Sequence, residues 1–272
     1  MDMDRIREAA DLIRQADGLL ITAGAGMGVD SGLPDFRGNR GFWRAYPALG
    51  RQQIGFQEMA MPSSFASRQR LAWGFYGHRL NLYRNAVPHA GFQILLDLAR
   101  HLPHGAFVYT SNVDGQFQKA GFAESQVVEC HGSIHYLQCL ETCSMHIWPA
   151  DSFHPDVDED ACLLRSPLPE CPRCRAVARP NILMFDDWSW IASRTEMQDI
   201  QFDLWRKKVG RMVVIELGAG VNLPTIRRKG EAMKVPMIRI NPTDERVPGA
   251  RSIGLRMGAL EALTKIAEAF GK

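Results

Sequence analysis

The chain has 272 residues, of which 46% are hydrophobic and 23% are charged. This length and composition are typical of one large globular domain, or of one domain that carries a smaller insert. The net charge of +2 gives no basic field of the kind that nucleic-acid binders need, so we expect no direct nucleic-acid binding.

The signals for membrane insertion and export are weak. The longest apolar runs, "GLLITAGAG" (18–26) and "MVVIELGAG" (212–220), are too short to span a bilayer. The first residues, "MDMDRIREAADLIRQ", are acidic and amphipathic, unlike a signal peptide. Six cysteines without an export signal indicate reduced thiols or metal ligands rather than disulfides. We therefore expect a soluble cytoplasmic protein with no membrane partner.

In chain order, a helical pattern of apolar residues at 4–16 precedes a short apolar run that ends in glycines, which is typical of a buried parallel strand. The alternation of such runs with helix-like stretches predicts an α/β fold with a doubly wound, Rossmann-like parallel sheet. The predicted strands are 18–22, 105–111, 125–130, 211–218 and 235–241, and the later predicted helices are 91–102, 201–210 and 258–270.

Two stretches interrupt this alternation. Residues 39–85 are rich in Arg, Phe, Tyr and Trp and contain no strand-like run, whereas residues 136–178 hold five of the six cysteines. We expect the two stretches to form a smaller lobe, made of a helical insert and a metal-binding module. The sheet domain would then consist of residues 1–38, 86–135 and 179–272.

The first motif is "TAGAGMGVDSGLPDFRG" (22–38). Gly24 and Gly26 follow a strand, as a dinucleotide fingerprint requires, but Val29 stands where the third glycine should be. By themselves these glycines fit a tight strand-to-helix turn almost equally well. The "PDFR" that follows favours a ligand, because Asp35 and Arg37 lie where a bound pyrophosphate and ribose would be.

Three polar residues follow two other predicted strands. Asn112 and Asp114 come after one strand and His131 after another, and carboxyl ends of parallel strands face the ligand crevice. Asn112 could instead cap the following helix, although a cap would not explain Asp114. A single histidine is more often structural than catalytic, but His131 is better placed than most.

The cysteines form two closely spaced pairs, Cys139 with Cys143 and Cys171 with Cys174. In a reducing compartment this pattern predicts one structural zinc ion with four protein ligands. The alternative is a set of four buried or free thiols, which this spacing disfavours.

Taken in order, these segments resemble the sirtuin family of NAD-dependent protein deacylases, from Leu20 to the last helix. The glycine loop with its "PDFR" extension, the "SNVD" at 111–114, the "HG" at 131–132 and the first cysteine at 139 all match family motifs. The resemblance implies that "RPNILMF" (179–185), including Ile182, Leu183 and Phe185, pairs with the substrate peptide. It assigns the NAD contacts to Gly24, Ala25, Gly26, Asp35, Phe36, Arg37, Ser111, Asn112, Val113, Asp114, Gly218, Ala219, Gly220 and Asn241.

The same resemblance implies a reaction. The amide oxygen of an acylated protein lysine attacks C1′ of the NAD ribose as nicotinamide leaves, and the ribose carries the acyl group away. Phe36 would shield the reacting ribose, Asp114 would hold the nicotinamide carboxamide, and Asn112 would lie beside the ribose. His131 would act as the general base, which suits an imidazole that titrates near neutral pH.

The sequence departs from the family pattern at several positions. Ser111 replaces the usual Gln, Phe117 the usual His and Gly220 the usual Ser. "FDD" (185–187) stands where the family's "FGE" anchors the peptide. Two acids at this rim are expected to favour a basic peptide.

Tyr76 and Arg79 are three residues apart on a predicted helix, so both side chains can reach one small anion. This Tyr-x-x-Arg pair resembles the one that marks sirtuins acting on succinyl- and malonyl-lysine, which implies a preference for acidic acyl groups. A solvated helix face is the alternative.

Two other functions remain open. The same NAD pocket could support ADP-ribosyl transfer or NAD hydrolysis if peptide binding is poor. A non-catalytic NAD sensor with a partner-binding zinc lobe is a third possibility, against which the presence of Asn112, Asp114 and His131 argues.

Overall fold

A six-stranded, wholly parallel sheet forms the centre of the molecule in the computed structural model, which describes residues 2–34 and 38–271. Its strand order is β11-β10-β9-β1-β2-β3, so the chain runs outward in both directions from the central β1, as in a doubly wound fold. The strands of this sheet are β1 (Gly18–Ala23), β2 (Ala106–Thr110), β3 (Val127–Glu129), β9 (Met212–Leu217), β10 (Met237–Ile240) and β11 (Ile253–Leu255).

Helices cover both faces of this sheet. On one face an aliphatic core joins the sheet to helices α1, α7 and α11, and on the other a smaller core joins it to α9 and α10. The helices are α1 (Asp2–Gln15), α2 (Gly38–Ala45), α3 (Pro47–Arg51), α4 (Phe56–Met59), α5 (Pro62–Ser67), α6 (Gln69–Asn85), α7 (Ala90–Arg100), α8 (Gln116–Lys119), α9 (Ser193–Arg206), α10 (Thr225–Ala232) and α11 (Ala259–Phe270).

The predicted α/β fold is confirmed, and each of the five predicted strands is present within one or two residues. Within the sheet domain, the strand β11 and the helix α10 were not predicted, and the helix predicted at 201–210 instead runs from Ser193 to Arg206. None of the described helices, within residues 2–34 and 38–271, combines the length and apolarity that crossing a bilayer would require.

The two stretches that interrupt the alternation pack together. Helices α2 to α6 share an aromatic-rich core with two small antiparallel sheets, of which the larger has the order β5-β4-β8. Helix α6 lies so close to the cysteine-rich segment that a Cβ on Gly74 would be 2.0 Å from the carbonyl oxygen of Cys162. The strands of this lobe are β4 (Gly132–Cys139), β5 (Ile147–Pro149), β6 (Val157–Asp158), β7 (Leu163–Leu164) and β8 (Ala178–Ile182).

Candidate functional site

Two glycine-rich loops interlock at the carboxyl ends of β1 and β9. A Cβ on Gly26 would lie 2.6 Å from the Cα of Gly218, and one on Gly24 would lie 2.9 Å from the Cα of Ala219. Only glycine permits this approach of one backbone to the other. A Cβ on Gly220 would meet nothing within 4 Å, so the crevice opens there. Close-packed glycine backbone at the carboxyl edge of a parallel sheet fits the pyrophosphate of a dinucleotide.

The glycine loop differs from the ordinary fingerprint in its continuation. Ala25 begins a 3₁₀ helix, Ala25–Ser31, instead of an α-helix. The predicted cofactor residues Asp35, Phe36 and Arg37 lie outside the described residues, so their roles stay predictions.

Asn112 connects the strand β2 to the glycine loop. Its side-chain Nδ2 donates a hydrogen bond to the carbonyl oxygen of Gly24 at 3.0 Å, and its backbone N–H donates to Oγ1 of Thr110 at 3.0 Å. The next helix, α8, has Gly115 at its N-cap, so the interpretation of Asn112 as a helix cap is wrong. The neighbouring Ser111 donates its backbone N–H to Ala23 at the end of β1.

Asp114 lies buried in the same loop. Burial raises the pKa of its carboxyl to about 6, although the backbone N–H of Gln116, which donates to Oδ1 at 2.9 Å, acts in the opposite direction. Two contacts from β4 fix this loop: the Nε2 of His135 hydrogen-bonds the carbonyl oxygen of Asp114 at 2.9 Å, and Ile134 donates its N–H to Val113 at 3.0 Å. The loop is therefore held rigidly at the edge of the sheet.

His131 stands two residues beyond the end of β3, in the turn before β4. Its ring is largely removed from solvent, and this desolvation lowers the pKa of the imidazole, while a hydrogen bond with the backbone of Ser111 partly offsets the effect. A histidine with a depressed pKa is neutral at pH 7 and therefore able to accept a proton. Since Ser111 adjoins Asn112, His131 and Asn112 lie close together.

The predicted substrate strand continues from β8 beside this histidine. Strand β8 ends at Ile182, after which Leu183 donates its backbone N–H to the carbonyl oxygen of His131 at 2.9 Å. Phe185 likewise donates to Ala60 at 2.9 Å. The segment from 182 to 185 therefore connects the turn at His131 with the helical insert at Ala60.

The two acids that follow have different environments. Asp187 is fully buried with Arg179, whose guanidinium donates to its Oδ1 at 2.8 Å. Asp186 is exposed and adopts a positive φ of 51°. The expectation that both acids lie at the peptide rim is therefore wrong for Asp187, because its carboxylate is engaged inside the protein.

Tyr76 and Arg79 share one face of α6, and both are buried. The Arg79 guanidinium lies over the rings of Phe75, Tyr76 and Tyr83 at 5.2, 5.7 and 5.3 Å. Its Nη2 and Nε both donate to the hydroxyl of Tyr83, at 2.7 and 2.9 Å. Tyr83 was not predicted as part of this group, although it lies one helical turn after Arg79 in the sequence. The alternative of a solvated helix face is wrong.

Asn241, the last predicted cofactor contact, is buried behind the second glycine loop. Its Nδ2 donates to the carbonyl oxygen of Ala219 at 3.0 Å, and its Oδ1 accepts from the backbone of Thr243 and Asp244. The side-chain amide therefore holds the loop 218–220 in place.

The four predicted zinc ligands, Cys139, Cys143, Cys171 and Cys174, form one cluster whose sulfur atoms all lie within 4.8 Å of one another. Two of the Sγ–Sγ distances are 3.6 Å. A tetrahedral zinc ion with Zn–S bonds of about 2.3 Å places its sulfurs about 3.8 Å apart, so these residues fit the metal. Cys130 and Cys162 lie outside the cluster.

Comparison with known proteins agrees with this geometry. A protein from Aeropyrum pernix named "NAD-dependent protein deacylase" is 27% identical, over 99% of each chain. A Fusarium oxysporum protein named "Probable bifunctional ADP-ribose hydrolase/ADP-ribosyltransferase" is 30% identical over 81% of this chain and 38% of its own. A solved "Sir2 homolog-NAD complex" superimposes with a TM-score of 0.72 at 24% identity, over 97% of this chain and 93% of the other, which shows a shared fold. The sequence profile of the Sir2 family matches residues 24–203, well over half of the chain, and the protein therefore belongs to the Sir2 family.

Proposed function

We propose that the protein is an NAD-dependent protein lysine deacylase that releases nicotinamide and O-acyl-ADP-ribose. The observation that carries this proposal is the convergence of Asn112, Asp114 and His131 at the carboxyl edge of the parallel sheet, next to the interlocked glycine loops. The name of the full-length Aeropyrum relative supports the same activity.

In this proposal NAD supplies an electrophilic ribose carbon and nicotinamide as the leaving group. The glycine loops bind the pyrophosphate, and the rigid loop 111–114 orients the ribose and the carboxamide. Because Asn112 is tied to Gly24, the position of the ribose and that of the pyrophosphate are set by one connected unit. Such preorganisation lowers the entropic cost of reaching a reactive geometry.

His131 is the proposed general base. Its buried, neutral imidazole is suited to take a proton from a ribose hydroxyl. The adjoining segment 182–185, bound through its backbone to His131 and Ala60, would place the acyl-lysine of a protein substrate within reach of that base.

The acyl group is the finer part of the proposal, and we assign a preference for succinyl, malonyl or glutaryl groups. Arg79 supports it, since its guanidinium is buried among aromatic rings and oriented by the hydroxyl of Tyr83. In such a desolvated setting a hydrogen bond to a charged group is worth about 1.5–3 kcal/mol, which corresponds to roughly 10- to 150-fold in rate.

Substitution of this arginine tests the preference. Arg79→Met should selectively lower kcat/KM for a succinyl peptide, by about 10- to 150-fold, relative to the acetyl version of the same peptide. Equal losses on both substrates would assign Arg79 to packing in the aromatic core alone.

The activity itself is tested by incubating the protein with NAD and an acyl-lysine peptide and identifying the products by mass. Formation of O-acyl-ADP-ribose supports the proposal. Transfer of ADP-ribose to protein would instead support the second candidate, ADP-ribosyl transfer, which the name of the Fusarium relative favours. Free ADP-ribose would indicate NAD hydrolysis, and no turnover would indicate an NAD sensor.

A further inference from the structure

The loop 184–189, which overlaps the end of the proposed peptide-binding segment, is anchored by buried polar groups. Asp187 accepts hydrogen bonds from Arg179 and from the backbone N–H groups of Met184 and Ser189. Gln138 adds a second anchor, since its Nε2 donates to the carbonyl oxygen of Ser189 at 2.8 Å. The backbone from 184 to 189 is therefore fixed at several points, and the side chains that it exposes are displayed from a rigid base.

Two side chains flank the buried Asp187 and face solvent. Asp186 is exposed, and no hydrogen bond or ion pair engages its carboxylate among residues 2–34 and 38–271. Trp188 has 99% of its surface exposed, which is exceptional because tryptophan is highly buried on average. A carboxylate and a large aromatic ring are each able to bind a cation, and here they lie two residues apart on one loop.

The backbone at Asp186 adopts a conformation that glycine favours. Its φ of 51° lies in the left-handed region, where a residue other than glycine is strained and where Asp and Asn are tolerated better than most. Glycine would remove the strain, and the related family motif has glycine here. A carboxylate at this position costs stability without contributing an internal contact.

The loop also lies within reach of the reaction. Leu183 bonds to the backbone of His131, and Asp186 is three residues further along, so its Cα is at most about 10 Å from that of Leu183. An extended peptide with its acyl-lysine at His131 advances roughly 3.3 Å per residue. A side chain two to four residues from the acyl-lysine can therefore reach this loop.

We propose that Asp186 and Trp188 select peptide substrates that carry an arginine or lysine within about four residues of the acylated lysine. This inference rests on the proposed deacylase function and specifies its substrate class. The carboxylate attracts the cation and the indole ring covers it, while Asp187 serves only to position the loop.

The test compares peptides that differ only in the charge of one flanking residue. Arginine, glutamine or glutamate is placed at each position from four before to four after a constant acyl-lysine. For each peptide, kcat/KM with NAD and the binding constant from fluorescence anisotropy are measured. The wild type should prefer arginine over glutamine about threefold to tenfold at one or two positions.

The variants Asp186→Asn and Asp186→Gly should both abolish this preference, and Trp188→Ala should weaken it. Asparagine tolerates the same backbone conformation, so Asp186→Asn isolates the charge. Asp186→Gly should in addition raise the Tm by roughly 1–4 °C, since it relieves the strain. Asp160→Asn, an exposed acid in the β6–β7 turn with the same change of charge, should retain the wild-type preference.

The outcomes separate the two proposals. Selection by Asp186 is overturned if all peptides are turned over and the ratio of kcat/KM for arginine peptides to kcat/KM for glutamine peptides is the same in wild type and Asp186→Asn. Charge-dependent binding that disappears in Asp186→Asn, without any NAD-dependent turnover, supports the selection and overturns the deacylase function. If there is neither turnover nor charge-dependent binding, both proposals are overturned.

Discussion

The sheet domain and the smaller lobe have different kinds of core. The main core of the sheet domain is largely aliphatic, and its geometry is set by six hydrogen-bonded parallel strands. The smaller lobe relies on aromatic packing, with rings such as Phe42, Phe75 and Tyr46 meeting edge-on or tilted at 4.9–5.5 Å. Three of its five strands contain only two or three residues. The sheet therefore supports itself, whereas we expect the smaller lobe to depend on its metal.

The first prediction tests this dependence and has the largest expected effect. Cys171→Ser removes a buried ligand from the sulfur cluster. Structural zinc contributes about 10–16 kcal/mol of binding free energy in small zinc modules, so its loss should unfold the segment 136–178. Metal analysis should show one zinc per chain in the wild type and none in the variant, and limited proteolysis should cut the variant within this segment.

Cys162→Ser is the matched control, since Cys162 is equally buried but lies outside the cluster. It should retain one zinc ion and resist the protease. A zinc-free wild type that resists proteolysis as well would refute the dependence of the smaller lobe on metal.

The second prediction concerns His131 at the edge of the sheet, whose side chain is expected to contribute to catalysis more than to folding. His131→Ala should lower kcat for deacylation about 10²- to 10⁴-fold with NAD binding largely unchanged, since a base acts in the transition state. Because burial lowers the pKa of this imidazole, kcat/KM of the wild type should fall only below pH 6.5. His154→Ala, at an exposed site in the smaller lobe, is the control. If His131→Ala deacylated the peptide at the wild-type rate, the role of His131 would be structural and not catalytic.

The third prediction concerns the buried carboxyl of Asp114. Its pKa is about 6 in the folded protein, against an ordinary value of 3.8. The folded state thus binds the proton more tightly than the unfolded chain does, so stability falls as pH rises from 3.8 to about 6, and the full cost, roughly 3 kcal/mol, is present above that pH. Asp114→Asn should remove this cost.

Urea unfolding at two pH values measures the effect. Asp114→Asn should be more stable than the wild type at pH 7.5 and nearly equal to it below pH 4. The asparagine oxygen can keep the hydrogen bond from the backbone of Gln116, which limits side effects of the substitution. A gain of the same size at both pH values would contradict the argument from charge.

The same division between the two regions governs what the sequence could predict. Five of the six parallel strands were predicted because each is a buried apolar run, such as β1 with all six residues buried. The strands β4 to β7 were not predicted, because they are defined by antiparallel pairing, and β5 to β7 are also short and partly exposed. Local periodicity contains no information about such pairing.

Helix α9 escaped correct prediction for another reason. It buries the polar residues Thr195 and Gln198 and exposes Met197, Ile200 and Leu204, the reverse of the usual amphipathic pattern. The first turns of α9 bury polar side chains because they contact β3, where Thr195 donates to the carbonyl oxygen of Glu129, and Phe202 is the buried apolar side chain of the helix. A hydrophobic pattern alone therefore could not locate the start of the helix.

Within the candidate site, the residues named by motif were predicted, whereas their supports were not. His135, which holds the loop of Asp114, and Arg179, which neutralises Asp187, are recognisable only once β4 and β8 are paired. Asp186 and Asp187 were indistinguishable in the sequence, and only the fold shows that one is buried and the other exposed.

The last prediction has the smallest expected effect and tests how closely the two glycine loops approach. In Gly26→Ala the new Cβ would lie 2.6 Å from the Cα of Gly218, and neither backbone can move without disturbing the end of its strand. We expect a loss of about 1–3 kcal/mol in the free energy of unfolding, as for other overpacked sites. Gly220→Ala adds the same methyl group where nothing lies within 4 Å, so its stability should be within about 0.5 kcal/mol of the wild type. Urea denaturation of the three proteins measures both effects, and calorimetric titration with NAD should show weaker binding by Gly26→Ala. If the two variants unfolded at the same urea concentration, the close approach of the two loops would not make position 26 more sensitive to an added methyl group than position 220.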